Sequence, residues 1–229
     1  MSRMEFILCG KDGDHAIAFQ YDRLFAIGYA GRDTAKTLEH IRELEEQLGV
    51  PAPKRLPTIF QCGTYLLTQE RELDFSGSQT CGEAEYVMLT DGEKLYIGLG
   101  SDHTDREMES QSVLKSKQVC AKPIGRILWD YEDLKDHWDE IRITSWQVLD
   151  GEKTLYQRGT LADIMEPERL LQELGERTGD IRHAVIYSGT VPLIDGFKYG
   201  TEFICELDDE KLGRKLTLSY KVRAVEQEM

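Results

Sequence analysis

The stretch GEAEYVMLTDGEKLYIGLGSD, residues 82–102, decides how this chain is read. Two apolar runs flank Asp91-Gly92, a dipeptide that favours a tight turn between antiparallel strands. The pattern predicts a β-hairpin. Alternation along its first strand puts Glu83, Glu85, Val87 and Leu89 on one face, so two carboxylates extend an apolar row. Like charges side by side there are unfavourable unless a positive group neutralises them. The returning strand ends at Ser101-Asp102. Glu83 and Asp102 lie at nearly matching distances from the turn, and antiparallel pairing makes such positions neighbours. Three carboxylates, Glu83, Glu85 and Asp102, then converge on one point. An all-oxygen set of this kind suits Mg2+, or Mn2+ or Ca2+, rather than zinc. A solvated strand edge is the alternative for the glutamate pair.

Immediately downstream, GSDHTDREME (residues 100–109) gathers acids around Arg106. Thr104 and Glu107 have the T-x-x-E spacing of a capping box, and Asp102 and Asp105 suit the positive end of a helix dipole. Capping and metal ligation are compatible, and both stay open at this point.

Outward from the hairpin the chain is rich in strands. EFILCG, HAIAFQY and RLFAIGYAG read as short strands near the start, followed by a helix from Asp33. In that helix Leu38, Ile41, Leu44 and Leu48 keep helical spacing, and Gly49 with Pro51 stop it. TSWQVLDGEKTLYQRGT repeats the hairpin signature around Asp150-Gly151. Helices are expected over DREMESQSVLKSKQ and over EPERLLQELGER, the latter with Pro167 in its first turn. The remainder, AVIYSGTV, TEFICEL and KLTLSYKV, is again strand. No linker or repeat divides the chain. The expected organisation is one β-dominated α+β domain over residues 1–229, with N-terminal strands and a lid-like helix in residues 1–55 and a β core in 56–229.

Composition narrows the partners. The 229 residues carry 42 acids against 28 bases, a formal charge of −14. This argues against nucleic acid and against an anionic membrane surface. The longest early apolar run, FILCG, is too short for a signal peptide or a membrane span. Five singly scattered cysteines suit reduced thiols better than a disulfide framework or a zinc site. A soluble, cytoplasmic protein is expected.

GEAEYVML, GLGSDHTDREME, LKSKQVCAKP and IYSGTVP, in this order, resemble the fumarylacetoacetate hydrolase superfamily across roughly residues 82–191. That superfamily carries an E-x-E strand, an N-D-x-[ST]-x-R-[DE] segment, a later lysine and a late S/T-G-T turn. The closest likeness is to an uncharacterised prokaryotic branch. The resemblance implies a mixed β-roll, a distorted barrel of the kind found in that superfamily's C-terminal domain, with a few peripheral helices. It implies a homodimer and a divalent cation, usually Mg2+, held by Glu83, Glu85 and Asp102. It places Lys117 facing substrate, with Lys115 a nearby competitor. It assigns Thr190 and Gly189 to a substrate carboxylate, and it aligns Arg106 with the superfamily's arginine in this segment, a substrate-binding candidate whose alternative role is to pair with the acids around it.

His40 and Glu43, three apart on the early helix, match a His-x-x-Glu general-base dyad, in which a carboxylate orients the imidazole. His103 is a weaker candidate base, and His15, His137 and His183 belong to no constellation. Two departures stand out: the Asn-Tyr that commonly precedes the dyad is missing, and GTVPL replaces the usual GTPxGVG.

The expected function is a metal-dependent enzyme acting on a small carboxylic acid, a 2-oxo or 1,3-dioxo acid, through an enolate. Hydrolysis of a C–C bond in an acylpyruvate-like substrate leads. A decarboxylase, isomerase or dehydratase on the same metal site is the alternative, as is a catalytically silent metal-binding protein.

Overall fold

The computed structural model describes residues 1–11, 13–48 and 51–225, without the side chains of residues 40, 44, 47 and 48. The decisive hairpin forms as its turn chemistry dictates. Strands β8 (Ala84–Thr90) and β9 (Leu95–Ser101) pair antiparallel, with Glu85 opposite Gly100 and Ala84 opposite Ser101. Asp91 closes the turn by accepting from the backbone N–H groups of Glu93 and Lys94 at 2.9 and 2.8 Å, and Gly92 takes φ 94°. Every residue of β8 is buried, as expected of a strand covered on both faces.

Around this hairpin the chain builds an eight-stranded mixed sheet, curled into a half-barrel. Its other members are β1 (Ser2–Gly10), β2 (Gly13–Tyr21), β3 (Arg23–Gly28), β4 (Thr58–Cys62), β12 (Ile127–Asp130) and β15 (Ala184–Tyr187). The order across the sheet is β2-β1-β12-β9-β8-β15-β3-β4. A five-stranded sheet packs over one face, comprising β6 (Glu72–Ser76), β13 (Arg142–Leu149), β14 (Glu152–Thr160), β16 (Glu202–Asp209) and β17 (Arg214–Val225). Its order is β14-β13-β16-β17-β6. Its β13–β14 hairpin turns through Asp150 and Gly151, both at positive φ, as a two-residue turn requires. Two-stranded ribbons, β5 (Leu67–Thr68) with β11 (Lys122–Pro123) and β7 (Thr80–Cys81) with β10 (Thr104–Asp105), tie the connections down.

Alternation in β8 and β9 divides the core. Tyr86, Met88, Ile97 and Leu99 face the five-stranded sheet, where Phe203, Leu207 and Tyr220 meet them. Val87 and Leu89 belong to a second cluster with Phe6, Leu24, Leu128 and Tyr187. Glu85 shares the face of Val87 and Leu89, as the alternation predicted. The α+β, strand-dominated β-roll expected from the resemblance is the fold observed. No described helix is long and apolar enough to cross a membrane. All five cysteines are free.

Two helices follow expectation and one does not. Helix α1 (Thr34–Leu48) forms where the periodicity placed it, with Ile41 buried, although Leu38 is exposed. Helix α4 (Pro167–Thr178) has its proline in the first turn. The continuous helix expected over residues 105–118 is instead two short ones, α2 (Arg106–Glu109) and α3 (Val113–Gln118). The break falls where Ser112 turns its hydroxyl to Lys115 N–H and starts a new helix, a competition typical of serine. The capping box is also corrected. Thr104 is a buried strand residue whose hydroxyl donates to Asp102 O at 2.9 Å, and Asp105 is the cap, accepting from Met108 N–H at 2.9 Å.

Candidate metal centre

The mouth of the β8–β9 hairpin brings the three acids together. Glu83 immediately precedes β8 and Asp102 immediately follows β9; the Asp102 N–H donates to Glu83 O at 3.0 Å. One carboxylate oxygen from each of Glu83, Glu85 and Asp102 lies within 4.8 Å of the others. Glu85 and Asp102 are buried, and the Glu83 side chain is 17% exposed. Asp102 Oδ1 is a buried acceptor that makes no well-formed hydrogen bond, its contact being the ion pair with Lys122 Nζ at 3.2 Å. An all-oxygen donor set with an orphaned buried acceptor fits a hard divalent cation.

Glycine makes room for this geometry. A Cβ on Gly100, opposite Glu85, would lie 2.6 Å from both Val87 and the Tyr187 ring. Gly189, at φ 94°, donates its N–H to Glu85 Oε2 at 3.0 Å and so aims that carboxylate. Thr190, next in the chain, donates to Ala84 O at 2.6 Å and receives Gln157 Nε2 at 2.7 Å. Both residues expected at a substrate carboxylate therefore also brace the E-x-E segment.

Three cations pair with two of the three acids, Glu83 and Asp102. The Lys117 ammonium contacts Asp102 Oδ2 closely and lies 3.5 Å from Glu83 Oε2. Lys115, the competitor, is exposed. Arg106 reaches Glu83 Oε1 at 3.0 Å and Glu109 Oε2 at 2.8 Å, and its guanidinium stacks 4.5 Å above the Phe197 ring. The third cation, Lys122, was not singled out from the sequence. It is wholly buried, donating to the carbonyls of His103 at 2.7 Å and Cys120 at 3.0 Å. Its only sequence signal is a lysine inside the apolar CAKP, easily taken for a surface residue.

The charges sort themselves by neighbour. Burial alone would raise all three carboxyls. Arg106 and Lys117 outweigh it for Glu83, and Lys117 with Lys122 outweigh it for Asp102, so both stay below the usual carboxylate range. Glu85 has no such partner. Burial, then the charges of Asp102 and Glu83, push it well above that range. Lys117 is raised: burial opposes its charge, but Asp102 and Glu83 prevail.

The histidines divide. His103 stacks on Phe75, with centroids 3.8 Å apart, and its Nδ1 meets Tyr220 Oη at 2.8 Å. Burial, then the charges of Lys122 and Arg106, hold it well below its usual value, so it is a neutral core ring. His137, expected to be bland, is buried against Asp209 at 2.9 Å. His40 and Glu43 share α1, but the His40 side chain lies outside the described residues. Tyr29, also not anticipated, follows β3 with φ 55°, a strained setting for a bulky residue. It feels the charges of Glu109, Lys117 and Glu83.

Residues 27–220 match the family described as protein of unknown function, DUF2848. No curated protein matches significantly. Among solved structures, 2-keto-3-deoxy-D-arabinonate dehydratase complexed with magnesium and 2,5-dioxopentanoate superposes with TM-score 0.63 at 17% identity, covering 91% of this chain and 75% of that one. A protein described as belonging to the fumarylacetoacetate hydrolase family, from Yersinia pestis CO92, gives 0.60 at 14%, covering 97% and 100%. The 4-oxalocrotonate decarboxylase from Pseudomonas putida G7, complexed with calcium and acetate, gives 0.56 at 13%, covering 87% and 76%. At these identities the likeness is one of fold. With the fold of the fumarylacetoacetate hydrolase superfamily and a matched profile over most of its length, the chain belongs to the DUF2848 family.

Proposed function

We propose that this protein is a divalent-metal-dependent enzyme that acts on a small 2-oxo or 1,3-dioxo acid through an enolate, hydrolysing a C–C bond of an acylpyruvate-like substrate. The observation that carries this reading is the convergence of Glu83, Glu85 and Asp102 within 4.8 Å at a buried hairpin mouth. These three side chains hold the cation, which is Mg2+ in the leading reading. When bound, a divalent cation supplies Lewis acidity to the 2-oxo and carboxylate oxygens of a substrate. Lys117 stabilises the negative charge that develops on the substrate as the bond adjacent to the carbonyl breaks. Thr190 and Gly189 border the substrate carboxylate while bracing Ala84 and Glu85. Arg106, committed to Glu83 and Glu109, orients a ligand and closes the substrate side of the site. His40, oriented by Glu43, removes the proton from the attacking water.

The dehydratase and decarboxylase among the structural neighbours favour a second reading. In that reading the enolate forms either by loss of CO2 or by removal of the proton next to the carbonyl, after which it expels the β-hydroxyl as water; neither route needs an attacking water. A homodimer belongs to the proposal and is read by light scattering.

The test joins metal analysis to turnover. Wild type, Glu83→Gln and Asp102→Asn are titrated with Mn2+ and Mg2+, then assayed on acylpyruvates, oxaloacetate and sugar-derived 2-oxo acids with and without chelator. Expected are metal binding by wild type, its loss in both variants, and turnover abolished by chelation. Turnover that survives chelation overturns the reading. His40→Ala separates the two outcomes, since it abolishes hydrolysis and spares decarboxylation.

A further inference from the structure

The three cations at the carboxylates are not held alike. Lys122 is anchored by two backbone carbonyls, those of His103 and Cys120. Arg106 has Glu109, the Cys81 sulfur at 3.0 Å and the Phe197 ring besides Glu83. Lys117 has no comparable tether. Among the described residues its hydrogen-bond and ion-pair partners are Asp102 and Glu83, two of the three candidate ligands, and its ammonium also lies 5.9 Å from the centre of the Phe60 ring. The ammonium sits at the end of a four-carbon stem on α3, a helix of only six residues. A lysine ammonium is a compact point charge with three donors, and it satisfies the same oxygens that a hard cation takes. With the divalent ion in place, Lys117 would lose both partners and meet a like charge.

We propose that Lys117 is a built-in counter-ion that competes with the divalent cation for Asp102 and Glu83, so that entry of the cation displaces its ammonium. This rests on the metal reading above and adds a regulation to it. While the ammonium holds the ligands, the site is neutralised from within and cation affinity is lowered. Once displaced, the same ammonium is free to face the substrate, while Lys122 and Arg106 stay on their anchors and keep Asp102 and Glu83 oriented.

The experiment measures cation affinity, not turnover. Mn2+ binding to the full-length protein is followed by electron paramagnetic resonance, with Mg2+ in competition, for wild type, Lys117→Met and the exposed control Lys115→Met. Lys117→Met is expected to bind Mn2+ at least about tenfold tighter, about 1.4 kcal/mol, with the control unchanged. Equal or weaker binding by Lys117→Met overturns the proposal and leaves the three-carboxylate reading standing. No binding by either protein overturns both. A measurement on wild type alone guards against misfolding of the variant: acetylation of Lys117, read by peptide mass spectrometry, rises severalfold on Mn2+ addition. An unchanged or reduced rate overturns the proposal.

Discussion

Glu85 is the residue at which folding and function pull in opposite directions. It is buried beside Asp102 and Glu83, has no cation of its own, and its carboxyl is pushed well above the usual range. An uncompensated buried charge destabilises a fold, and a neutral isostere relieves it. Glu85→Gln is therefore expected to leave thermal stability of the metal-free protein unchanged or higher. The amide oxygen still accepts from Gly189 N–H. Mn2+ affinity is expected to fall by more than about 100-fold, about 2.8 kcal/mol, read by titration beside a thermal melt. Reduced stability with unchanged affinity would make Glu85 a structural residue. The acid itself was legible, because alternation along a strand is local. Its donor was not, since Gly189 lies 104 residues away.

At the scale of elements, cross-strand pairs decide how the five-stranded sheet responds to pH. Arg142 on β13, Asp208 on β16 and Lys215 on β17 are in register, and Asp208 Oδ2 lies 2.8 Å from Arg142 Nη2 and 3.1 Å from Lys215 Nζ. Burial pushes Asp208 up, but the two cations prevail and hold it below its ordinary value. A depressed carboxyl favours the folded state above the unfolded-state pKa of about 3.9 and loses that contribution as pH falls through the folded value. Asp208→Asn is expected to cost about 1 kcal/mol at neutral pH, because both partners are half-exposed. In urea titrations the difference should shrink as pH falls below the unfolded-state value of about 3.9; a constant difference would show that the pair contributes no pH-dependent stability. Both DG hairpins were legible because turn chemistry is short-range. The expected helix over residues 105–118 breaks at Ser112, whose hydroxyl takes the Lys115 N–H from the backbone ladder.

Across the whole molecule, the two sheets are tied together at the site. Tyr220, buried on β17, meets Ser101 Oγ at 2.9 Å and His103 Nδ1 at 2.8 Å, the residues on either side of Asp102. Removing the hydroxyl leaves two buried groups without a partner, a loss of about 1–3 kcal/mol. Tyr220→Phe is expected to lower stability by that amount and to weaken Mn2+ binding, since Asp102 is then held from one side only. Wild-type stability and affinity in this variant would sever the link between the sheets and the metal centre. Within a chain of formal charge −14, Glu83 and Asp102 are neutralised locally by buried lysine and arginine, and Glu85 is not.

By itself the sequence determined what depends on near neighbours along the chain. It specified the hairpins, the early and late helices, the strand-dominated class, and the convergence of Glu83, Glu85 and Asp102, which follows from one turn and the period of a strand. Only the tertiary structure decided which cations meet those acids and how each is anchored. A lysine reads the same in a sequence whether it is solvated, as Lys115 is, or enclosed, as Lys122 is. The difference arises from the ribbon β5–β11, the second core cluster and the five-stranded sheet, which close around the hairpin mouth and remove water from it. That loss of water makes the charges interact strongly, and it exists only once distant segments have packed.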